Sequence, residues 1–268
     1  MNKSPKEIAL EKAILKMLPE GRLPQLASML FEDEELHALQ EYANEVSIKR
    51  LGYNDHGPVH MRKVVLNAMT VAGLLRGAGI RLSLESEEIG TWEDSWIALM
   101  LAGMMHDVGM TVTRSDHEIF SIELCRPLLD RFLAAQFPDD ARRRVVLRSL
   151  VMECIGGHMG GIDIHSLEAG ILLVADGCDM EKGRARIPLK IATQAKIGDI
   201  HKYSSSAVER IEITAGEQRP VRITVHMSSS VGFFQVEEVL FPKLAHSPIR
   251  HLVELHAGIL GEPMKVYQ

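Results

Sequence analysis

His60 opens the segment His-Met-Arg-Lys-Val-Val, His106 and Asp107 end the run Leu-Ala-Gly-Met-Met-His-Asp-Val-Gly, and Asp176 ends Ile-Leu-Leu-Val-Ala-Asp. Burying imidazoles and carboxylates beside such Leu, Val, Ala and Met runs is costly unless a cation compensates them. Their donor atoms suit manganese, iron, cobalt, nickel or zinc better than ions that seek thiolates. The His-Asp pair carries little weight alone, since a chain of this composition contains about 0.5 such pairs by chance. The apolar flanks and the order of the three segments carry the signal.

Together the three segments resemble the H…HD…D signature of the HD superfamily, over roughly residues 50 to 190. The resemblance implies an HD-type helical bundle in which His60, His106, Asp107 and Asp176 hold one divalent ion at the converging ends of three helices. His117, in His-Glu-Ile-Phe-Ser-Ile-Glu, and His158, in Glu-Cys-Ile-Gly-Gly-His-Met, are similar to the extra ligands of its binuclear subgroup. That similarity implies Asp107 as a bridge and a cofactor of one or two divalent transition-metal ions. Two such ions acidify a shared water, aim the resulting hydroxide at phosphorus and offset phosphoryl charge, so no protein nucleophile is needed. The chain accordingly shows neither a Gly-x-Ser-x-Gly elbow nor a Walker A loop. The expected activity is hydrolysis of a small-molecule phosphate ester or anhydride, of a nucleotide by preference and within the EC 3.1 class. The Gly-Tyr-Pro motif of the cyclic-di-GMP enzymes is absent, so that substrate is not assigned. Two alternatives stand beside it: a di-iron oxygenase on the same fold, and a nucleotide-binding sensor with a non-catalytic site.

Past Asp176 the chain reads Gly-Cys-Asp179-Met-Glu-Lys182-Gly-Arg184-Ala-Arg186. Guanidinium forks match phosphate oxygens, so Lys182, Arg184 and Arg186 are the candidate phosphate-binding residues, with Lys182 also a candidate catalytic group. Asp179, three residues past Asp176, is either an outer partner of a metal ligand or an exposed carboxylate. His56 joins the substrate-binding candidates; it precedes His60 by one helical repeat, but Gly57-Pro58 interrupts the helix, and its other reading is a side chain that closes the turn.

The elements that must position these residues are mostly helical. Apolar residues recur at threes and fours from Ser4 to about Lys49, giving two or three helices. A helix begins at Pro58, which suits a first turn, and breaks at Gly77-Ala78-Gly79. Further helices are expected over Glu93 to Val108, closed by Gly109, and over about 117–135, 139–155 and 166–180. Gly156 to Gly161 reads as a flexible stretch that lets His158 approach a metal. After about residue 200 the period changes: Ile211, Ile213 and Val221 to Met227 alternate around the turn Ala215 to Pro220, which predicts a β-hairpin. Phe233 to Leu244 and Ile249 to Leu260 return to helical spacing. The fold class is therefore mainly α, with a helical domain over 1–195 and a small α+β appendage over 200–268.

With 46% hydrophobic and 25% charged residues, the chain suits a globular protein of one large domain or a domain plus appendage. A net charge of −6 argues against bulk nucleic-acid binding, and Arg142-Arg143-Arg144 follows Asp139-Asp140 as a solvated helix face. Cys125, Cys154 and Cys178 form no C-x-x-C pair and read as buried thiols, while Met100, Met104, Met105 and Met110 read as core. The longest apolar run, Trp96 to Met105, is too short for a bilayer and the N-terminus is polar, so no membrane partner and a cytoplasmic location are expected. A homo-oligomer stays open.

Overall fold

The computed structural model describes residues 2–182 and 200–268. Among the described residues ten α-helices precede the first strand: α1 (Pro5–Met17), α2 (Arg22–Glu32), α3 (Glu34–Glu45), α4 (Pro58–Gly77), α5 (Ser83–Ser86), α6 (Trp92–Met105), α7 (His117–Gln136), α8 (Ala141–Gly157), α9 (Leu167–Gly177) and α10 (Ile200–Ser206). A π-helical turn, Val46–Leu51, prolongs α3, and a 3-10 turn, Val108–Thr111, follows α6.

The axis of this bundle is α6. A capping box sets its start: the Thr91 hydroxyl accepts from the Asp94 N–H while the Asp94 carboxylate accepts from the Thr91 N–H. From Asp94 to Met105 every residue is buried, as a helix apolar on all sides requires. The fully buried Glu168 carboxylate links α9 to this core by accepting from the Ser83 and Leu84 N–H groups at 3.2 Å and the Ser95 hydroxyl at 2.6 Å. Arg62, also fully buried, donates to Glu11, Gln40 and the Pro58 carbonyl. It thereby ties α1 and α3 to the first turn of α4.

The C-terminal part is a four-stranded sheet in the order β1 (Val208–Ala215), β2 (Val221–Met227), β3 (Val253–Ile259), β4 (Lys265–Val266). The expected hairpin is present, β1 pairing antiparallel with β2 through Ile213 opposite Ile223. Between β2 and β3 the chain is helical over Phe233–Gln235, Val236–Leu240 and Phe241–His246. The expectation of a helix over Ile249 to Leu260 is corrected: a 3-10 turn, Arg250–Leu252, leads into β3, which runs parallel to β2. Val253, Leu255 and Ala257 are fully buried at a period of two, and a short apolar run of that kind takes whichever period its neighbour can pair with. One hydrophobic core runs from Ile14 and Leu26 through α4, α6 and α9 to Ile223, Val225 and Leu255. Among the described residues no helix is long and apolar enough to cross a membrane.

Candidate metal centre

Five helix ends meet at one buried place. His60 lies in the first turn of α4, His106 caps the C-terminus of α6, His117 begins α7, His158 caps α8, and Asp176 is the penultimate residue of α9. Asp107 sits between α6 and the 3-10 turn. The helix expected to reach Val108 and end at Gly109 stops instead at Met105. Gly109 has a different duty: a Cβ there would lie 1.9 Å from the His117 carbonyl oxygen and 2.6 Å from the Ser121 nitrogen, so only glycine lets this turn meet α7. Ser121 completes the joint, its hydroxyl accepting from the Gly109 N–H and donating to the His106 carbonyl. Gly157 is likewise a packing glycine, since a Cβ would lie 2.1 Å from Ile164 Cγ2, whereas a Cβ at Gly160 or Gly161 would meet nothing closer than 3.9 Å.

The side chains form two groups that share Asp107. His60, His106 and Asp107 make one, and Asp107, His117 and His158 the other. Asp107 Oδ2 is 3.1 Å from His60 Nε2 and 3.5 Å from His106 Nε2. Its Oδ1 is 3.0 Å from His117 Nε2 and 3.4 Å from His158 Nε2. Asp176 Oδ1 joins the first group at 3.2 Å from His60 Nε2 and 3.8 Å from His106 Nε2.

The tautomers follow from the far sides of the rings. Nδ1 faces the Gly103 carbonyl in His106, the Ile155 carbonyl in His158 and the Arg114 carbonyl in His117, at 3.0, 2.7 and 3.0 Å. In His60 it faces Asp179 Oδ2 at 2.6 Å. Carbonyls and carboxylates only accept, so Nδ1 carries the hydrogen in His60, His106 and His158 and the neutral ring presents a bare Nε2 lone pair to the centre, whereas Nδ1 of His117 also faces the Arg114 guanidinium at 3.2 Å. The Nε2 atoms nevertheless approach to 3.2 Å between His60 and His106 and to 3.1 Å between His117 and His158. Facing lone pairs repel unless an electrophile lies between them. Donors bound about 2.0–2.2 Å from one ion stand roughly 3–3.5 Å apart, so these spacings fit a shared metal in each group.

The two carboxylates of the cluster are stabilised in their charged form by the imidazoles and the ammonium around them. Burial pushes the Asp107 carboxyl up, but the imidazoles of His106 and His56 and hydrogen bonds from His106 and His117 outweigh it and hold Asp107 well below the usual carboxylate range. Asp176 is also held well below that range, burial being overcome first by the Lys243 ammonium and then by His60 and His106. Burial depresses His158 to about 4 despite Asp107, so it stands neutral and ready to donate its lone pair. Burial pulls His117 down too, but its hydrogen bond to Asp107 and that carboxylate's charge leave its pKa raised.

The structure brings together all six residues read as metal ligands. Asp179 is buried behind His60, as the outer partner that orients it. His56 is buried with its ring 5.8 Å from that of His60, and its Nδ1 lies 2.6 Å from the Asn54 carbonyl oxygen and 2.8 Å from Ser47 Oγ, which closes the turn. Lys182 is not part of the cluster: its exposed ammonium pairs with Glu209 at the start of β1. Arg184 and Arg186 lie outside the described residues. Among the described residues a cation that does reach the cluster is Lys243, from Phe241–His246, which donates to Asp176 Oδ2 and, at 2.8 Å, to the His158 carbonyl; the Arg114 guanidinium lies 3.2 Å from His117 Nδ1. In sequence it is one lysine in an amphipathic stretch, 67 residues from Asp176, with no local pattern to mark it. The three cysteines are buried and free, as expected.

The chain is 34% identical over 233 residues to the uncharacterized protein MJ1020 of Methanocaldococcus jannaschii, a match covering 87% of this chain and 88% of that protein. No family model matches the chain, and no solved structure matches it.

Proposed function

We propose, for a chain that belongs to the same family as that Methanocaldococcus jannaschii protein, that the cluster around Asp107 is a binuclear metal site of the HD type, which hydrolyses a phosphate ester or anhydride, a nucleotide by preference. The observation that carries the reading is the pairing of four Nε2 atoms around the two oxygens of one carboxylate, Asp107. His60, His106 and Asp176 would hold one divalent ion, His117 and His158 the other, and Asp107 both. Bound there, two such ions supply Lewis acidity toward phosphoryl oxygens and lower the pKa of a water they share.

The protein's own contributions follow from the contacts. Asp107 sets the distance between the two groups, because its carboxylate spans them. Asp179, Gly103, Arg114 and Ile155 fix the imidazole tautomers, so the donors need no rearrangement to bind. The packed ends of α4, α6, α7, α8 and α9 keep the donors in place and bury them.

The test is metal analysis joined to a hydrolysis screen. Protein loaded with manganese, iron, nickel or zinc should hold two ions per chain and release phosphate or a nucleoside monophosphate from nucleotides, cyclic nucleotides or dinucleoside polyphosphates. Asp107→Asn should bind fewer ions and lose turnover. Activity with redox-inert zinc separates hydrolysis from oxidation at a di-iron centre. Full occupancy with no hydrolysis under any metal would overturn the assignment.

A further inference from the structure

We propose that Lys243 is a substrate-binding residue for the phosphoryl anion, so that the C-terminal α+β part completes a site whose metal ligands all come from the helical bundle. The inference rests on the binuclear reading above and adds the group that meets the substrate's charge.

Lys243 is placed as a site residue. Its side chain is only 11% exposed, and its ammonium bridges the two halves of the cluster, contacting Asp176 beside the first group and the His158 carbonyl beside the second. Its stem passes over the C-terminus of α9 at Gly177, where a Cβ would lie 3.2 Å from Lys243 Cδ and 3.2 Å from Leu240 Cδ1. An ammonium has three donors; two are spent on Asp176 and His158, and no protein partner for the third is found among the described residues.

The charge balance says what that donor is for. Of the six candidate donors only Asp107 and Asp176 bring carboxylates, and an imidazole that ligates a metal through Nε2 does so as the neutral ring. Two divalent ions are therefore under-neutralised by their own ligands, and Asp179 behind His60 offsets only part of the surplus. A buried cation next to such a centre makes the excess larger. It is tolerated where an anion with several acceptor oxygens joins the group, and a phosphoryl dianion has that charge and that hydrogen-bonding capacity. Lys182, the cation nearest to Asp176 in sequence among the described residues, faces Glu209 instead.

The experiment is calorimetric titration of the full-length, manganese-loaded chain with inorganic phosphate, with bound manganese counted on the same samples. Lys243→Met removes the ammonium; Lys243→Gln keeps a hydrogen-bond donor toward Asp176 without the charge. Loss of one charge-assisted hydrogen bond predicts phosphate binding about 10- to 100-fold weaker in both variants, with the wild-type number of ions retained. Lys243→Arg, which keeps the charge, should recover part of the affinity. Equal phosphate affinity in wild type and in a variant that keeps its ions would refute the role of Lys243 and leave the hydrolase reading standing. Loss of the ions from both the Met and Gln variants would also refute it, making Lys243 a support for Asp176. A loaded wild type that binds no phosphate would remove both this inference and the hydrolase reading.

Discussion

Replacing Gly109 with alanine tests whether the junction between the 3-10 turn and α7 positions the second half of the centre. The added Cβ would sit 1.9 Å from the His117 carbonyl oxygen, 2.6 Å from the Ser121 nitrogen and 2.9 Å from the His117 carbonyl carbon. All three are backbone atoms, so no side chain can rotate away. Restoring ordinary contact requires the N-terminus of α7 to retreat by about 1.5 Å, a change of the overpacking kind that costs about 1–3 kcal/mol. For a chain of this size that lowers Tm by roughly 2–12 °C. His117 is the first residue of α7, so its Nε2 withdraws from Asp107 Oδ1, now 3.0 Å away, by a comparable distance. A displacement of about 1 Å at a reacting site can cost 100-fold. His60, His106 and Asp176 stand on other elements and should keep their ion. The expected result is one tightly bound metal per chain in place of two, read by elemental analysis after dialysis, together with the lowered Tm in a scanning calorimeter. Two ions held with wild-type affinity and an unchanged Tm would refute the claim that this glycine sets the position of His117.

Three further outcomes follow from contacts outside the centre. Arg62→Met removes a fully buried guanidinium from Glu11, Gln40 and the Pro58 carbonyl; because Lys3 still pairs with Glu11, the loss should fall near the lower end for a broken buried pair, about 3 kcal/mol, seen as a lower urea midpoint, and a loss under about 1 kcal/mol would contradict it. Burial pushes the Glu254 carboxyl up, but the N–H groups of Arg219 and Gln218 and the Arg222 guanidinium bring it down to about 2. A carboxylate depressed on folding stabilises the protein above its unfolded pKa, about 4.3, and that contribution disappears as pH falls toward 2. The Tm gap between wild type and Glu254→Gln should therefore be full at pH 6 and close between about pH 4 and 2; a gap constant with pH would contradict the assignment. Burial raises the thiol pKa of Cys125, Cys154 and Cys178, the last to about 12, so an aromatic disulfide reagent at pH 8 should label none in the native protein and three in denaturant.

Much of the candidate site could be read from one dimension because His106 with Asp107 and Asp176 end strongly apolar helices, and helical periodicity makes those ends visible. The hairpin was legible for the same reason, through strict alternation on both sides of a turn. β3 was not: Val253 to Ile259 is a short apolar run whose conformation depends on having β2 alongside it. The glycines were misassigned because Gly109 and Gly157 answer to the backbone of α7 and to Ile164, neither of which a linear chain places next to them.

What the residue order offered by itself was His60, His106, Asp107 and Asp176 beside apolar runs that make unpaired polar groups costly, with His117 and His158 added to the candidate donors by the family resemblance. Only the tertiary structure decided how those candidate donors divide into two groups, which oxygen of Asp107 faces which group, and that Lys243 reaches Asp176 while Lys182 faces Glu209. The physical reason is range: periodicity and capping act over a few residues, whereas the contact of Lys243 with Asp176 spans 67 residues and that of His60 with Asp179 spans 119, and each forms only when separate helices pack together.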